Sequence, residues 1–257
     1  MQVERIISEM LPNKWTLPFK FEYAKLRDRL EPEIAYLPLL LKNKCRRAID
    51  VGANYGFYSY ALSKYFNRVE AFEPQIWCTE DLSNYAAHSK NISVYNVGLS
   101  SFSTTLKLQI PKAEGDFTLS VSGAGNLITG LASFSAHSMP DNLDFFVLDV
   151  PVTCLDDYKF DDVDFIKIDV EGHELDVLKG SLQTIEKNKP ILLVEIEQRH
   201  LGQVPIASVM AFLTDLGYYS YYLSNNQLKS TQDVMDSLVI PGTASIFPPR
   251  NFFFIQE

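Results

Sequence analysis

The stretch Ala48-Ile-Asp-Val-Gly-Ala-Asn-Tyr-Gly-Phe57 sets Asp50, Gly52, Asn54 and Gly56 between an apolar run and an aromatic one. That order reads as a strand, a tight turn and a helix start. Gly52 permits the turn and a close ligand, and Gly56 lets the helix pack on the sheet with its N-terminal amides toward the ligand. A dinucleotide fingerprint, GxGxxG, uses its second glycine to clear room for pyrophosphate. Here that position is Asn54. Asp50, ending the strand, would repel phosphates and welcome an ammonium group. A positive ligand without a diphosphate fits S-adenosylmethionine better than NAD. Glu73, in Phe72-Glu-Pro74, follows Gly52 by 21 residues. At a distance of about 20, an acid accepts hydrogen bonds from ribose hydroxyls.

A second group of candidates surrounds Asp164-Phe-Ile-Lys-Ile-Asp-Val170. Alternation along a strand puts Lys167 and Asp169 on one face, with Glu171 just past the carboxyl end. Glu195 ends a later apolar run, so Asp169, Glu171 and Glu195 are expected to converge where open α/β sheets bind ligands. His173 and His200 lie near the same edge. Converging carboxylates raise one another's pKa unless a cation lies among them. A sulfonium is such a cation; Mg²⁺ or Mn²⁺ would be another, although no metal site is assigned. Lys167, in a buried run, is expected to pair with an acid. Glu174 and Asp176 read as acids complementing a helix dipole. Asp156 and Asp157 read as a turn and N-cap before the strand, and His137 as a further candidate for acceptor contact.

The elements that must position these residues follow from periodicity. Ala48–Val51, Val69–Phe72, Phe165–Val170 and Ile191–Ile196 are short, apolar and rich in β-branched or aromatic residues, as strands covered on both faces should be. Val94-Tyr-Asn-Val-Gly-Leu-Ser100 ends a third strand in chain order, with Asn96 to Ser100 placed to line an adenine pocket. Phe57–Phe66 puts Tyr58, Ala61, Leu62 and Tyr65 on one helical face; Leu175, Leu178, Leu182 and Ile185 repeat the pattern, as do Ile206, Val209, Met210, Leu213 and Leu216, with Gly217 as a C-cap. Tyr218, Tyr219, Tyr221 and Tyr222 read as sheet packing. The alternation predicts an α/β fold: a Rossmann-like, doubly wound, mostly parallel seven-stranded sheet with helices on both faces. Residues 1–45, punctuated by Pro12, Pro18, Pro32 and Pro38, predict an N-terminal helical cap. Residues 46–257 form the main domain, with 99–150 as an inserted strand (Thr105 to Ile110) and an acceptor or lid loop; Phe117 to Pro140 carries no charged residue. Asn251–Gln256 reads as a last strand.

Composition narrows the class. The chain has 257 residues, 46% hydrophobic and 21% charged, close to the average for globular domains. No apolar run approaches the roughly 20 residues of a membrane span. Glu4, Arg5 and Glu9 stand where a leader would be apolar. Cys45, Cys78 and Cys154 suggest neither a disulfide framework nor a zinc site, and a cytoplasmic location is expected. Of the net charge of -9, nearly all comes from residues 112–164, which hold ten acids and two bases. Such a balance offers no basic stripe for nucleic acid and reads as a solvated acidic face.

Taken in order, Asp50-Val-Gly-Ala-Asn-Tyr-Gly56, Phe72-Glu-Pro74, Asn96-Val-Gly-Leu-Ser100, Thr153-Cys-Leu-Asp-Asp157 and Asp164-Phe-Ile-Lys-Ile-Asp-Val-Glu-Gly-His-Glu174 resemble the FkbM family of S-adenosylmethionine-dependent methyltransferases. Leu178-Lys-Gly180, Pro190-Ile-Leu-Leu-Val-Glu195 and Asn251-Phe-Phe-Phe254 extend the resemblance across about residues 45 to 257. It implies O-methylation of a hydroxyl on a saccharide, a glycosylated molecule or a polyketide-type product. Asp50, Gly52, Ala53, Asn54, Gly56, Phe57, Glu73, Pro74, Asn96 and Asp169 are then the expected donor-binding residues. An in-line displacement needs a base for a hydroxyl acceptor, expected among Glu171, His173, Glu195 and His200. Two alternatives use the same sheet: an NAD(P)-dependent oxidoreductase, against which Asn54 and the lack of a Tyr-x-x-x-Lys pair speak, and a cofactor-binding scaffold without turnover.

Overall fold

In a computed structural model, residues 10–41, 45–111, 132–134, 145–201, 204–233 and 249–256 are described. Five parallel strands form the centre of one sheet: β1 (Arg47–Val51), β2 (Arg68–Phe72), β3 (Ile92–Tyr95), β7 (Val163–Ile168) and β8 (Ile191–Glu195), in the order β3-β2-β1-β7-β8. Beyond β8 the sheet turns antiparallel through β11 (Asn251–Ile255), β9 (Tyr219–Ser224) and β10 (Gln227–Ser230). Among the described residues it therefore has eight strands, not seven. The extra one arises because Asn225 and Asn226 both take positive φ, 51° and 58°, which turns the chain back in a tight hairpin. β4 (Gly98–Leu99), β5 (Thr104–Pro111) and β6 (Phe145–Thr153) make a second sheet, ordered β4-β6-β5.

Alternation along the strands divides the core between two faces. Phe252 and Phe254 join Ile166, Ile168, Leu192 and Val194 on one face, while Phe253 joins Phe165 and Leu193 on the other. The first face is covered by α5 (Glu174–Lys179), α6 (Leu182–Asn188) and α8 (Ile206–Asp215) through Val177, Leu178, Ile185, Val209 and Leu213. α1 (Asn13–Leu26), α2 (Pro32–Leu40) and α3 (Phe57–Ser63) supply Leu17, Phe21, Ile34, Leu37, Tyr58 and Leu62 to the second, with Leu82 from α4 (Glu80–Ala86). Burying each such side chain is worth about 1.5–3 kcal/mol. Among the described residues no helix is long and apolar enough to cross a membrane.

Several local expectations change. Pro18 and Pro38 lie inside α1 and α2; only Pro12 and Pro32 mark helix starts. α3 stops at Ser63, leaving Tyr65 exposed. The helix expected after Gly172 is broken in two at Gly180, where the Ser100 backbone passes so close that a Cβ would lie 1.9 Å from its carbonyl oxygen. Asp156 does not cap toward β7. Its carboxylate accepts hydrogen bonds from the Gln183 and Thr184 amides at 3.0 and 2.8 Å, capping α6 instead. Asp162 and Asp164 are paired rather than merely solvated: Asp162 meets Arg47 at 2.6 Å and Asp164 meets Arg46 at 2.5 Å. Glu114, Asp116, His137, Asp141 and Asp144, and most of the uncharged stretch, lie outside the described residues.

Candidate active site

The turn after β1 is fixed by its own amides. Gly52 and Ala53 donate to the Phe72 carbonyl oxygen at 2.9 and 3.0 Å. The Asn54 amide donates to Glu73 Oε2 at 3.0 Å. Gly52 has φ +74° and runs so close to β7's continuation that a Cβ would stand 1.8 Å from the Asp169 carbonyl oxygen. Asn54 takes φ +47°, and its Oδ1 is buried without a hydrogen bond. Gly56, at φ +82°, packs on Leu82 and leads into α3.

These atoms border a cleft at the carboxyl ends of the parallel strands. Gly52, Asn54, Glu73, Pro74 and Gln75 form one wall; Asp169, Val170 and Glu171 form another; Gly98, Leu99, Leu108, Ala132 and Phe134 face them from the second sheet and its insertion. Glu73 Oε1 accepts from the Gln75 amide at 3.0 Å. Each carboxylate oxygen offers two acceptor directions, and one hydrogen bond, from the Asn54 amide, reaches Oε2. Burial raises the Glu73 pKa, opposed by the Gln75 and Asn54 amides.

Other expected donor-binding residues stand behind this wall. Asp50 is fully buried; Oδ2 accepts from Ser59 Oγ at 2.5 Å, and Oδ1 lies 3.8 Å from Lys167 Nζ. Ala53 is buried in the core, and Phe57 meets Phe21 edge-on at 5.9 Å. Asn96 Nδ2 donates to the Glu73 carbonyl oxygen at 3.2 Å and to Thr79 Oγ1 at 2.9 Å, bracing the acid's backbone. Gln75 and Val170 line the cleft without a signal in the sequence, and the inserted strand and loop expected over residues 99–150 bring Leu108, Ala132 and Phe134 to it. The last three come from outside the parallel sheet, where local periodicity gives no pairing.

At the opposite wall, Glu171 takes φ +51° and its Oε2 lies against His200 Nδ1. Gly172 makes this approach possible: a Cβ there would lie 2.1 Å from the His200 carbonyl oxygen. The Glu171 carbonyl accepts from Ser133 Oγ at 2.6 Å, fastening the insertion to the site. Glu195, at the end of β8, has its pKa pushed up to about 9 by burial and then by Asp169, Glu31 and Glu171, against the lowering effect of Lys167. Glu31 comes from the turn before α2, where its Oε2 accepts from Tyr58 Oη at 2.7 Å. Sequence patterning gave no signal for this long-range approach. Burial also pushes Glu174 up to about 7, with help from Asp169 and Glu171. His173 turns elsewhere: Nε2 is 3.0 Å from Ser100 Oγ, Nδ1 is 3.7 Å from Asp176, and burial lowers its pKa. Among the described residues, no group of three or more His, Cys, Asp or Glu is disposed to hold a metal ion.

The family described as the methyltransferase FkbM domain matches residues 50–219. No curated protein matches the chain by sequence. Among solved structures, the methyltransferase FkbM from Methylobacillus flagellatus KT superposes with a TM-score of 0.51 at 17% identity, over 98% of this chain and 57% of that one. The chain thus spans little more than half of that protein's length. An rRNA methylase from Streptococcus thermophilus gives 0.44 at 10% identity, covering 88% of this chain and 93% of the other. A SAM-dependent O-methyltransferase from Thermotoga maritima gives 0.40 at 10% identity, covering 88% and 65%. With the family pattern running from Asp50 to Tyr219 across the glycine turn, Glu73 and the carboxylate edge, the chain belongs to the FkbM methyltransferase family.

Proposed function

We propose that the protein transfers the methyl group of S-adenosylmethionine to a hydroxyl of a small-molecule or glycan acceptor, a saccharide or a glycosylated or polyketide-type product. The observation that carries this reading is one cleft wall bearing Gly52, Asn54 and Glu73, with Asp169 and Glu171 across from it. The donor supplies a methyl group already activated by a positive sulfur. Its ribose fits Glu73, whose Oε2 receives one hydrogen bond, from the Asn54 amide, against two acceptor directions. The orphaned Asn54 Oδ1 offers an acceptor to a donor N–H. Asp169 gives the negative charge that an ammonium or sulfonium favours.

Positioning can contribute roughly 7–11 kcal/mol toward such a displacement. Removal of the acceptor proton falls to Glu171, which reaches the cleft and is oriented by His200; Glu195 is the neighbouring carboxyl, held protonated until a cation approaches. His173, engaged with Ser100, orders the insertion instead. Isothermal titration tests the donor reading: S-adenosylmethionine and its demethylated product should both bind, and a nicotinamide dinucleotide should not. Heat from the dinucleotide alone would overturn it. A carbohydrate panel followed by mass spectrometry should then show one added methyl group on an acceptor oxygen.

A further inference from the structure

Lys167 is a buried lysine, 5% exposed. Its Nζ donates to the Gly52 carbonyl oxygen at 3.1 Å and to Asp169 Oδ2 at 3.1 Å. Asp50 Oδ1 is 3.8 Å away, and the Tyr58 ring centroid lies 5.1 Å off. Of the ammonium's three N–H donors, two are taken by the Gly52 and Asp169 oxygens; Asp50 Oδ1, itself buried without a hydrogen bond, faces the charge across an ion-pair distance. Gly52 and Asp169 belong to the cleft wall, whereas Asp50 does not. Burial opposes the charge, but Asp169 and Asp50 outweigh it and raise the pKa, so the group stays a cation.

We infer that Lys167 is a positioning residue for the donor's charged amino-acid end: one ammonium fixes the Gly52 peptide and the Asp169 carboxylate relative to each other. This rests on the donor reading above. The Gly52 turn and the end of β7 belong to different strands and touch closely at Gly52. The lysine is the side chain that bonds to both. The competing account is that Lys167 merely neutralises the buried Asp50. The two accounts separate cleanly, because replacing both members of a buried ion pair by uncharged residues commonly preserves stability, whereas removing one does not.

The test compares Lys167→Met with the double variant Lys167→Met/Asp50→Asn. Thermal melting should show the single variant destabilised and the double one recovered. Titration should show S-adenosylmethionine and S-adenosylhomocysteine bound at least tenfold more weakly by both, while methylthioadenosine, which lacks the amino-acid end, changes less than twofold. Recovery of wild-type affinity for both full ligands in the double variant would overturn the proposal and leave neutralisation as the lysine's role. Equal weakening of all three ligands would also overturn it, since a general collapse of the cleft is indicated. If neither variant folds, the ammonium resonance of Lys167 in the wild-type protein decides: it should shift with S-adenosylhomocysteine and not with methylthioadenosine, and no shift with either overturns the proposal. Wild-type protein that binds none of the three ligands would instead remove the donor reading itself.

Discussion

Glu73 shows how a residue readable from spacing acquires its role from its neighbours. Its two oxygens hold the Asn54 and Gln75 amides, so the acid both shapes the turn and faces the cleft. Hydrogen bonds to a charged group are worth about 1.5–3 kcal/mol. Glu73→Ala is therefore expected to weaken S-adenosylmethionine binding by about ten- to a hundredfold, read by titration calorimetry. Glu171 should behave differently. Glu171→Ala should leave donor affinity near the parental value and lower single-turnover transfer by about 10²–10⁴-fold, the usual contribution of a general base; transfer at the parental rate would remove Glu171 from that role. Asp50 was legible as an acid beside the glycines, but not as one facing away from the cleft toward Ser59 and Lys167. Sequence spacing gives position along a strand, whereas the side of the turn a carboxylate serves depends on where a buried cation lies.

The strand–helix alternation was legible because its strands are covered on both faces and its helices carry 3.6-residue periodicity. The breaks were not, since each answers to a distant segment. The helical pattern is interrupted at Gly180, where Ser100 passes close enough to require a glycine, and Asp156 caps the helix that restarts there. Asp156→Ala should destabilise the protein by about 0.5–2 kcal/mol in urea unfolding, the range for loss of a cap. Gly172 is a similar case, at φ +99° against the His200 backbone. Gly172→Ala should lower stability by about 1–3 kcal/mol, again by urea unfolding, and turnover should fall with it as His200 moves away from Glu171.

Charge is distributed over the whole molecule with a definite consequence for pH dependence. Glu195 rises from the ordinary 4.5 to about 9, and Glu174 to about 7. Between the unfolded and folded values the native state retains a proton that the unfolded chain has lost. Stability must then fall as pH rises through that window. The melting temperature of the ligand-free protein should decline from pH 7 to 9, and Glu195→Gln should flatten the decline. An unchanged slope in that variant would show that Glu195 is already ionised. The carboxylates converge because the ends of β7 and β8 and the turn before α2 meet at one edge.

Residue order alone carried the glycine turn, the acid at the end of β2, the central strands and the family to which they belong, because each is a local pattern with a local cause. Tertiary structure decided the rest: which acids share a field, that His200 rather than His173 meets Glu171, and that the second sheet and the insertion beside it bring Leu108 and Phe134 to the cleft. Those outcomes depend on contacts between segments from dozens to more than two hundred residues apart, as when Asn251 reaches Glu31. No periodicity records such a contact, since it exists only after the sheet has brought the segments together.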